Sequence, residues 1–123
     1  MIADDVHKMA CALMDELDDD GEVNTDTGYD GKAPSLINQL QRELAFYEGT
    51  TLTEDITSLD DELEISDDTA TRVMPYGLAS MFALADRNED MYQDYRLQYV
   101  RKIPTIRHAE EDINDEYSFL SGM

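Results

Sequence analysis

The sequence predicts an all-α fold, an antiparallel bundle of about four helices with a long acidic loop and an extended C-terminal tail. Apolar residues recur at spacings of three and four in four separate stretches of the chain. Proline, glycine, serine and asparagine lie where these stretches begin or end, as helix caps and breakers do. The 123 residues have a hydrophobic fraction of 41%, which is ordinary for one globular domain.

The helix predicted at the centre of the bundle covers residues 67–86, the longest apolar stretch in the chain. Ser66 is placed to cap its first turn, where two aspartates also suit the helix dipole. Pro75 removes one backbone hydrogen bond inside this helix and predicts a kink, and Gly77 would let another helix pack close. A packing kink in a core helix accounts for these residues without any chemistry.

The remaining predicted helices cover residues 4–17, 34–48 and 89–102, each with an apolar stripe at helical spacing. Pro34 suits the first turn of the second helix, and Asn88 is placed to cap the last one. Because the turn before the last helix is short, the last two helices should lie nearly antiparallel.

Three segments outside the helices have different characters. Residues 18–31 are acidic and glycine-rich, and they lack the glutamate position of an EF-hand, so we expect a solvated loop rather than a calcium site. Residues 50–65 predict a loop that places four apolar side chains against the helices, namely Leu52, Ile56, Leu59 and Leu63. The predicted domain spans 1–104, and residues 105–123 form a tail that docks on a partner.

The charge is strongly acidic and unevenly distributed. The chain holds 29 acidic and 9 basic residues, a formal charge of −20. Residues 1–70 carry 20 acidic and 3 basic residues, whereas residues 71–107 carry 4 and 6, so the last helix is a basic island. This charge repels nucleic acid and membrane surfaces, and no apolar run reaches the length of about 18 residues that crosses a bilayer.

The sequence contains no motif for catalysis, a cofactor or a metal. Cys11 lies on an apolar helical face and is expected to be a small buried hydrophobe. As the one cysteine, it excludes a disulfide within the chain, which suits a reducing compartment. His7 and His108 are far apart and are expected at the surface. The carboxylate clusters look solvated, so we predict that the protein is not an enzyme.

The last helix interleaves tyrosines with basic residues, a pattern also found in nucleic-acid grooves. The overall charge opposes that function, and the spacing of Tyr92, Tyr95 and Tyr99 is that of a packed stripe. The basic residues are better suited to an acidic partner, including the acidic surface of another copy of the chain. The predicted inter-subunit contacts are Arg96, Arg101, Lys102 and Arg107.

Three segments carry a family resemblance: KAPSLINQLQREL at 32–44, SLDDELEISDD at 58–68 leading into VMPYGLASMFAL at 73–84, and EEDINDEY at 110–117. Together and in this order they resemble the small helical head-tail connector proteins of tailed bacteriophages and defective prophages, also called adaptor or neck proteins. The Pro-Tyr-Gly at 75–77 is the most specific of these motifs. The loop at 18–31 matches least.

The resemblance implies a non-enzymatic structural subunit, located in the neck of the virion and in the host cytoplasm during assembly. It implies a ring, expected to be twelvefold, beneath the portal protein, and a platform for a further neck or tail-completion protein. Genome DNA would pass through the lumen without specific binding. The tail is implied to embrace the portal, with four apolar anchors: Ile113, Tyr117, Phe119 and Leu120.

The alternative is an acidic inhibitor that mimics DNA and occupies a nucleic-acid-binding protein. The charge of −20 favours it. The uneven distribution opposes it, because a mimic should spread its carboxylates over one continuous face. An enzyme with carboxylate catalysis is a third reading that has no motif behind it.

Overall fold

The computed structural model describes residues 1–17, 19–23 and 27–108 and is all-α, which confirms the predicted fold class. The described residues form α1 (Ala3–Leu13), α2 (Tyr29–Glu48), α3 (Asp67–Arg72), α4 (Met74–Ala85), α5 (Glu89–Lys102) and a 3-10 turn (Ile103–Thr105). Within these ranges no strand forms, and only isolated bridges occur. None of the helices described is both long and apolar enough to cross a membrane.

Helix α4 lies at the centre and contacts each of the other four helices. It buries eight residues, and the side chains of Met74, Leu78 and Phe82 have no exposed surface. The core around it is completed by apolar residues of α1 and α2 such as Val6 and Ile37. Burial of these side chains from water is the main force that holds the bundle together.

The prediction of one kinked helix over residues 67–86 was wrong, because the helix is interrupted at Val73 and two separate helices form. Helix α3 ends at Arg72, and α4 begins at Met74. Pro75 has no N–H and its ring crowds the preceding backbone, so a helix tends to end before it. The chain restarts with Pro75 in the first turn of α4, where a missing donor costs little. The predicted cap is confirmed, since Ser66 Oγ accepts from the N–H of Thr69 at 3.2 Å.

Two other helix boundaries also differ from the prediction. Helix α1 ends at Leu13 instead of residue 17, because Asp15 adopts a left-handed φ of 60°. The N–H of Glu16 then donates to the carbonyl of Cys11 at 2.7 Å, as in a Schellman motif. Helix α2 begins at Tyr29 and not at Pro34. Pro34 lies inside the helix, and because it has no N–H, one carbonyl of the preceding turn lacks its helical hydrogen bond.

The corner between α4 and α5 is built from backbone hydrogen bonds. Arg87 adopts a left-handed φ of 59°. Its N–H donates to Leu84 at 3.0 Å, and the N–H of Asn88 donates to Ala83 at 2.9 Å, which closes α4 with a second Schellman motif. Asn88 Oδ1 then accepts from the N–H of Met91 at 3.2 Å, which confirms the predicted cap of α5.

The loop at 50–65 packs on the helices as predicted, and polar side chains of α2 hold it there. Ile56 and Leu63 are buried, and Leu52 and Leu59 pack against the core. The amide of Asn38 exchanges two hydrogen bonds of 2.9 Å with the backbone of Ile56. Side chains of α2 therefore provide the backbone partners that a sheet would otherwise supply.

The packed part of the chain continues past the predicted boundary at Pro104. Ile103 and Ile106 pack against the core, and the ring of His108 lies beside the end of α2. The remainder of the predicted tail, 109–123, lies outside the described residues.

Candidate functional site

The basic residues of the last helix do not form one cluster. The guanidinium of Arg96 lies 5.5 Å from the ring centroid of Tyr99, and Lys102 Nζ lies 4.7 Å from that of Tyr76. Arg101 is exposed. At about 100° per residue, these three positions point to different sides of α5. Two of the four predicted contacts therefore cover aromatic rings of their own chain, and Arg107 lines a cavity near the end of α2.

Helix α5 has an outward surface that the rest of the described chain leaves uncovered. Tyr99 is the one residue of this helix that is buried. Leu97 and Val100 are 49% and 45% exposed, and they share a side of the helix with Arg101. We call these three residues the outer face of α5. It combines apolar surface with positive charge, which is typical of surfaces that meet another protein.

Gly77 and Tyr99 join α5 to the rest of the bundle. A Cβ on Gly77 would lie 2.8 Å from Leu40 Cδ2 and 2.8 Å from Tyr99 Cε1, so no side chain fits there. The hydroxyl of Tyr99 donates to the carboxylate of Glu43. Burial, and then this bond, raise the pKa of Tyr99, which keeps the phenol neutral. Gly77 and Pro75 thus have structural roles at the point where three helices meet.

The expectation that His7 lies at the surface was wrong, since its side chain is 1% exposed. His7 Nε2 lies 2.7 Å from Asp30 Oδ1, and its Nδ1 lies 3.8 Å from Cys11 Sγ. The order cysteine, histidine, aspartate is that of a nucleophilic triad. Cys11, however, has no exposed surface, and burial raises the pKa of its thiol to about 11. The group is a neutral thiol that no substrate reaches, which confirms the prediction of a buried hydrophobe.

A second polar contact ties α2 to α4 beside His7. The rings of Tyr29 and Phe82 are stacked, with 4.2 Å between their centroids and an angle of 1° between their planes. The hydroxyl of Tyr29 donates to the carboxylate of Asp86. Burial, followed by the carboxylate of Asp86, raises the pKa of Tyr29. Together with the bond from His7 to Asp30, this contact joins α1, α2 and α4, so the function of the group is structural.

A buried carboxylate that the sequence reasoning missed lies at the end of α2. Glu48 is 4% exposed and accepts hydrogen bonds from three side chains, at 2.6 Å from Thr50, 2.7 Å from Ser66 and 2.6 Å from Thr69. The N–H of Ser66 donates to it as well, at 3.0 Å. Burial alone would raise the pKa of Glu48, but these bonds outweigh it and the pKa is lowered. The carboxylate is therefore ionised and saturated with donors, unlike a general acid.

A signal for Glu48 was present in the sequence. Ile37, Gln41, Leu44 and Glu48 follow one another at spacings of four, three and four residues. A polar residue on an apolar stripe predicts a buried polar group with partners. Gln41 fits the same rule, because its Oε1 accepts from the N–H of Glu64 at 2.6 Å.

Glu48 opens onto a cavity of about 750 Å³ between the end of α2, α3 and the segment after α5. Its polar groups are largely paired with one another. The guanidinium of Arg72 donates to both carboxylate oxygens of Asp68 at 2.9 Å. These bonds and the charge of Arg107 lower the pKa of Asp68. The cavity is lined by Glu48, Thr50, Glu64, Ser66, Asp68, Arg72, Thr105 and Arg107.

A second cavity, of about 520 Å³, lies along the acidic loop and includes the carboxylates of Asp55, Asp61 and Glu62 in its lining. The carboxylate of Asp61 accepts hydrogen bonds from the N–H groups of Thr57 and Ser58, and these bonds lower its pKa. In the part of the chain that the structure describes, no group of His, Cys, Asp and Glu is arranged to hold a metal ion.

The predicted portal anchors, Ile113, Tyr117, Phe119 and Leu120, lie outside the described residues. Comparison of the chain with protein-family models, curated proteins and solved structures finds no match. The resemblance to connector proteins therefore stays a prediction from the three sequence segments.

Proposed function

We propose that this protein is a structural subunit of a bacteriophage neck, a head-tail connector or adaptor. It assembles as a ring on the portal vertex and links the DNA-filled head to a further neck or tail protein. The observation that carries the proposal is that one small helical body presents two unlike surfaces. A closed ring built from head-to-tail contacts requires two such surfaces on every subunit.

The first surface is the outer face of α5, defined above by Leu97, Val100 and Arg101. The second is the acidic loop at 50–65, which lines the cavity of about 520 Å³ and has exposed carboxylates at Glu54 and Asp60. Asp55 and Glu62 of the same loop are paired with Arg42 and with the N-terminal ammonium group. The loop is held to α2 through Asn38 and Gln41, so its shape is fixed before any partner arrives. Apolar area supplies affinity, and opposite charge selects the partner surface.

The charge also supports a ring that surrounds DNA. Residues 1–70 have a balance of −17, from 20 acidic and 3 basic residues. A lumen lined by such a surface repels phosphates, so DNA passes without being held. The DNA-mimic alternative uses the same charge, but an apolar and basic face on α5 has no place in a mimic of a phosphate backbone.

The experiment that tests the proposal is cosedimentation of the chain with the purified portal ring of the same phage. The matched variant is a chain ending at His108, which keeps the packed residues Ile103 and Ile106 and removes the predicted anchors. We expect the full chain to bind and the shortened chain to lose binding. A full chain that does not bind the portal, but displaces duplex DNA from a nucleic-acid-binding protein, would establish the mimic instead.

Ring assembly is tested separately by charge reversal. Arg101→Glu places a carboxylate on the outer face of α5, and Lys32→Glu makes the same charge change at an exposed position of α2. We expect Arg101→Glu to prevent rings in negative-stain images and Lys32→Glu to leave them intact. Intact rings with Arg101→Glu would contradict the assignment of this face to the subunit contact.

A further inference from the structure

The residues that follow α5 are held against the body through Arg72. Its guanidinium, already paired with Asp68, donates to Thr105 Oγ1 at 3.1 Å and to the carbonyl of Thr105 at 3.3 Å. The N–H of Ile106 donates to the carbonyl of Ile103 at 3.0 Å, and both isoleucine side chains pack on the core. Ordering a short segment costs conformational entropy at every residue, and these contacts offset that cost.

Gly49, at the end of α2, makes the last of these contacts. A Cβ on Gly49 would lie 2.6 Å from Cε1 and 2.7 Å from Nε2 of His108, so the imidazole ring occupies the space of a side chain. Gly28, at the other end of α2, has a similar φ of 75° against 80°, but nothing lies within 4 Å of its Cβ position. Both glycines adopt a left-handed φ that other residues rarely adopt, but only at Gly49 does a neighbouring side chain fill the space of a Cβ.

We propose that Gly49 and Arg72 hold residues 103–108 as a fixed mount for the C-terminal segment, a mount whose Thr105 and Arg107 line the cavity of about 750 Å³. The proposal rests on the proposed function, in which that segment binds the portal. A tether that starts from one place raises the effective concentration of the segment at its partner. The mount therefore positions the segment without touching the portal itself.

The composition of the segment 109–123 indicates which partner surface it fits. It carries five acidic residues among its apolar ones and no basic residue. A complementary surface is an apolar groove with a basic rim.

The first test is limited trypsin digestion of the full chain, followed by mass spectrometry of the fragment that begins at His108. Gly49→Ala displaces the imidazole ring and should raise the rate of cleavage after Arg107 about tenfold, as expected for loss of a local packing contact. Gly28→Ala carries the same backbone strain and should cleave at the wild-type rate. Arg72→Gln, a surface change that removes the bonds to Thr105, should raise the rate severalfold and serves if Gly49→Ala does not fold. Equal rates for the two glycine variants, or an unchanged rate for Arg72→Gln, would overturn the mount.

The second test is cosedimentation of the same variants with the portal ring. We expect Gly49→Ala to weaken binding several-fold and Gly28→Ala to leave it unchanged. Equal binding by both would overturn the positioning role. If the wild-type chain does not bind the portal at all, the proposed function fails, and the trypsin result still decides whether the mount exists.

Discussion

Helices α4 and α5 follow one another and pack together, yet they serve different purposes. Helix α4 buries eight residues, whereas α5 buries Tyr99 alone. The first is the core of the bundle. The second is attached along one side, where Tyr99 packs against Gly77 and Tyr95 packs on the core and donates to the carbonyl of Leu13 at 2.7 Å. The difference shows that a helix can be attached through two tyrosines of one stripe, Tyr95 and Tyr99, while most of its surface stays exposed.

The largest expected effect separates the two helices directly. Phe82 of α4 has no exposed surface and stacks on Tyr29, so Phe82→Ala should lower the free energy of unfolding by about 3–5 kcal/mol. Leu97 of α5 is half exposed, and Leu97→Ala should change it by less than about 0.5 kcal/mol. Urea denaturation of dilute protein measures both. A large cost for Leu97→Ala would show that a second copy covers the outer face of α5 in solution.

Gly77 tests the contact between the two helices. Gly77→Ala would push a methyl group into Leu40 and Tyr99, and we expect a loss of about 1–3 kcal/mol despite the better helix propensity of alanine. The matched control is Gly31→Ala, inside α2, where nothing lies within 4 Å of the new Cβ. That variant should gain about 0.5–1 kcal/mol. A gain in both variants would mean that α5 shifts away from α4 without cost.

Glu48 extends the comparison from apolar to polar burial. Glu48→Gln replaces charge-assisted hydrogen bonds and should cost about 2 kcal/mol at pH 7. The pKa of Glu48 in the folded protein is below its ordinary value of 4.5, so its contribution is complete above that pH and is lost as the pH falls through the lowered pKa. The deficit of the glutamine variant should therefore shrink below pH 4.5, as measured by urea denaturation at several pH values. A deficit independent of pH would indicate that packing, not charge, is responsible.

The smallest effect concerns the hydroxyl group of Tyr99. Tyr99→Phe keeps the ring against Gly77 and removes the bond to Glu43, whose carboxylate is exposed and regains water. We expect a loss of about 1 kcal/mol in thermal or urea unfolding. Tyr92→Phe, elsewhere on α5, should change nothing measurable and is the control. A loss as large as that of Phe82→Ala would mean that the hydrogen bond, and not the ring, attaches α5.

The helices and their caps could be predicted from the sequence because they depend on residues close together in the chain. Ser66 and Asn88 cap neighbouring N–H groups, and the apolar spacing of α4 is local. The end of α1 was harder, because Asp15 adopts the left-handed conformation that usually indicates glycine. The end of α4 was predicted to within one residue. Helix α2 starts early because Tyr29 stacks on Phe82, a contact that no local pattern reveals.

The candidate site was less predictable for the same reason. The hydrogen-bond donors of Glu48 include Ser66 and Thr69, which are 18 and 21 residues away in the sequence. These donors surround the carboxylate only in the folded chain. Arg96 and Lys102 looked like part of one basic surface, but each lies over an aromatic ring of its own chain. The net charge of α5 can be counted from its sequence, but the packing of the folded chain decides which of its charged side chains face outward.

The burial of Cys11 has a practical consequence. At neutral pH its thiol is protonated and enclosed, so a maleimide dye will react with it only while α1 separates from the bundle. The rate at which the dye labels the unaltered protein therefore reports how often α1 separates from the bundle. Because Cys11 reacts slowly, a second cysteine introduced on the exterior can be labelled selectively. Energy transfer between labelled copies of the chain then tests the proposed ring formation.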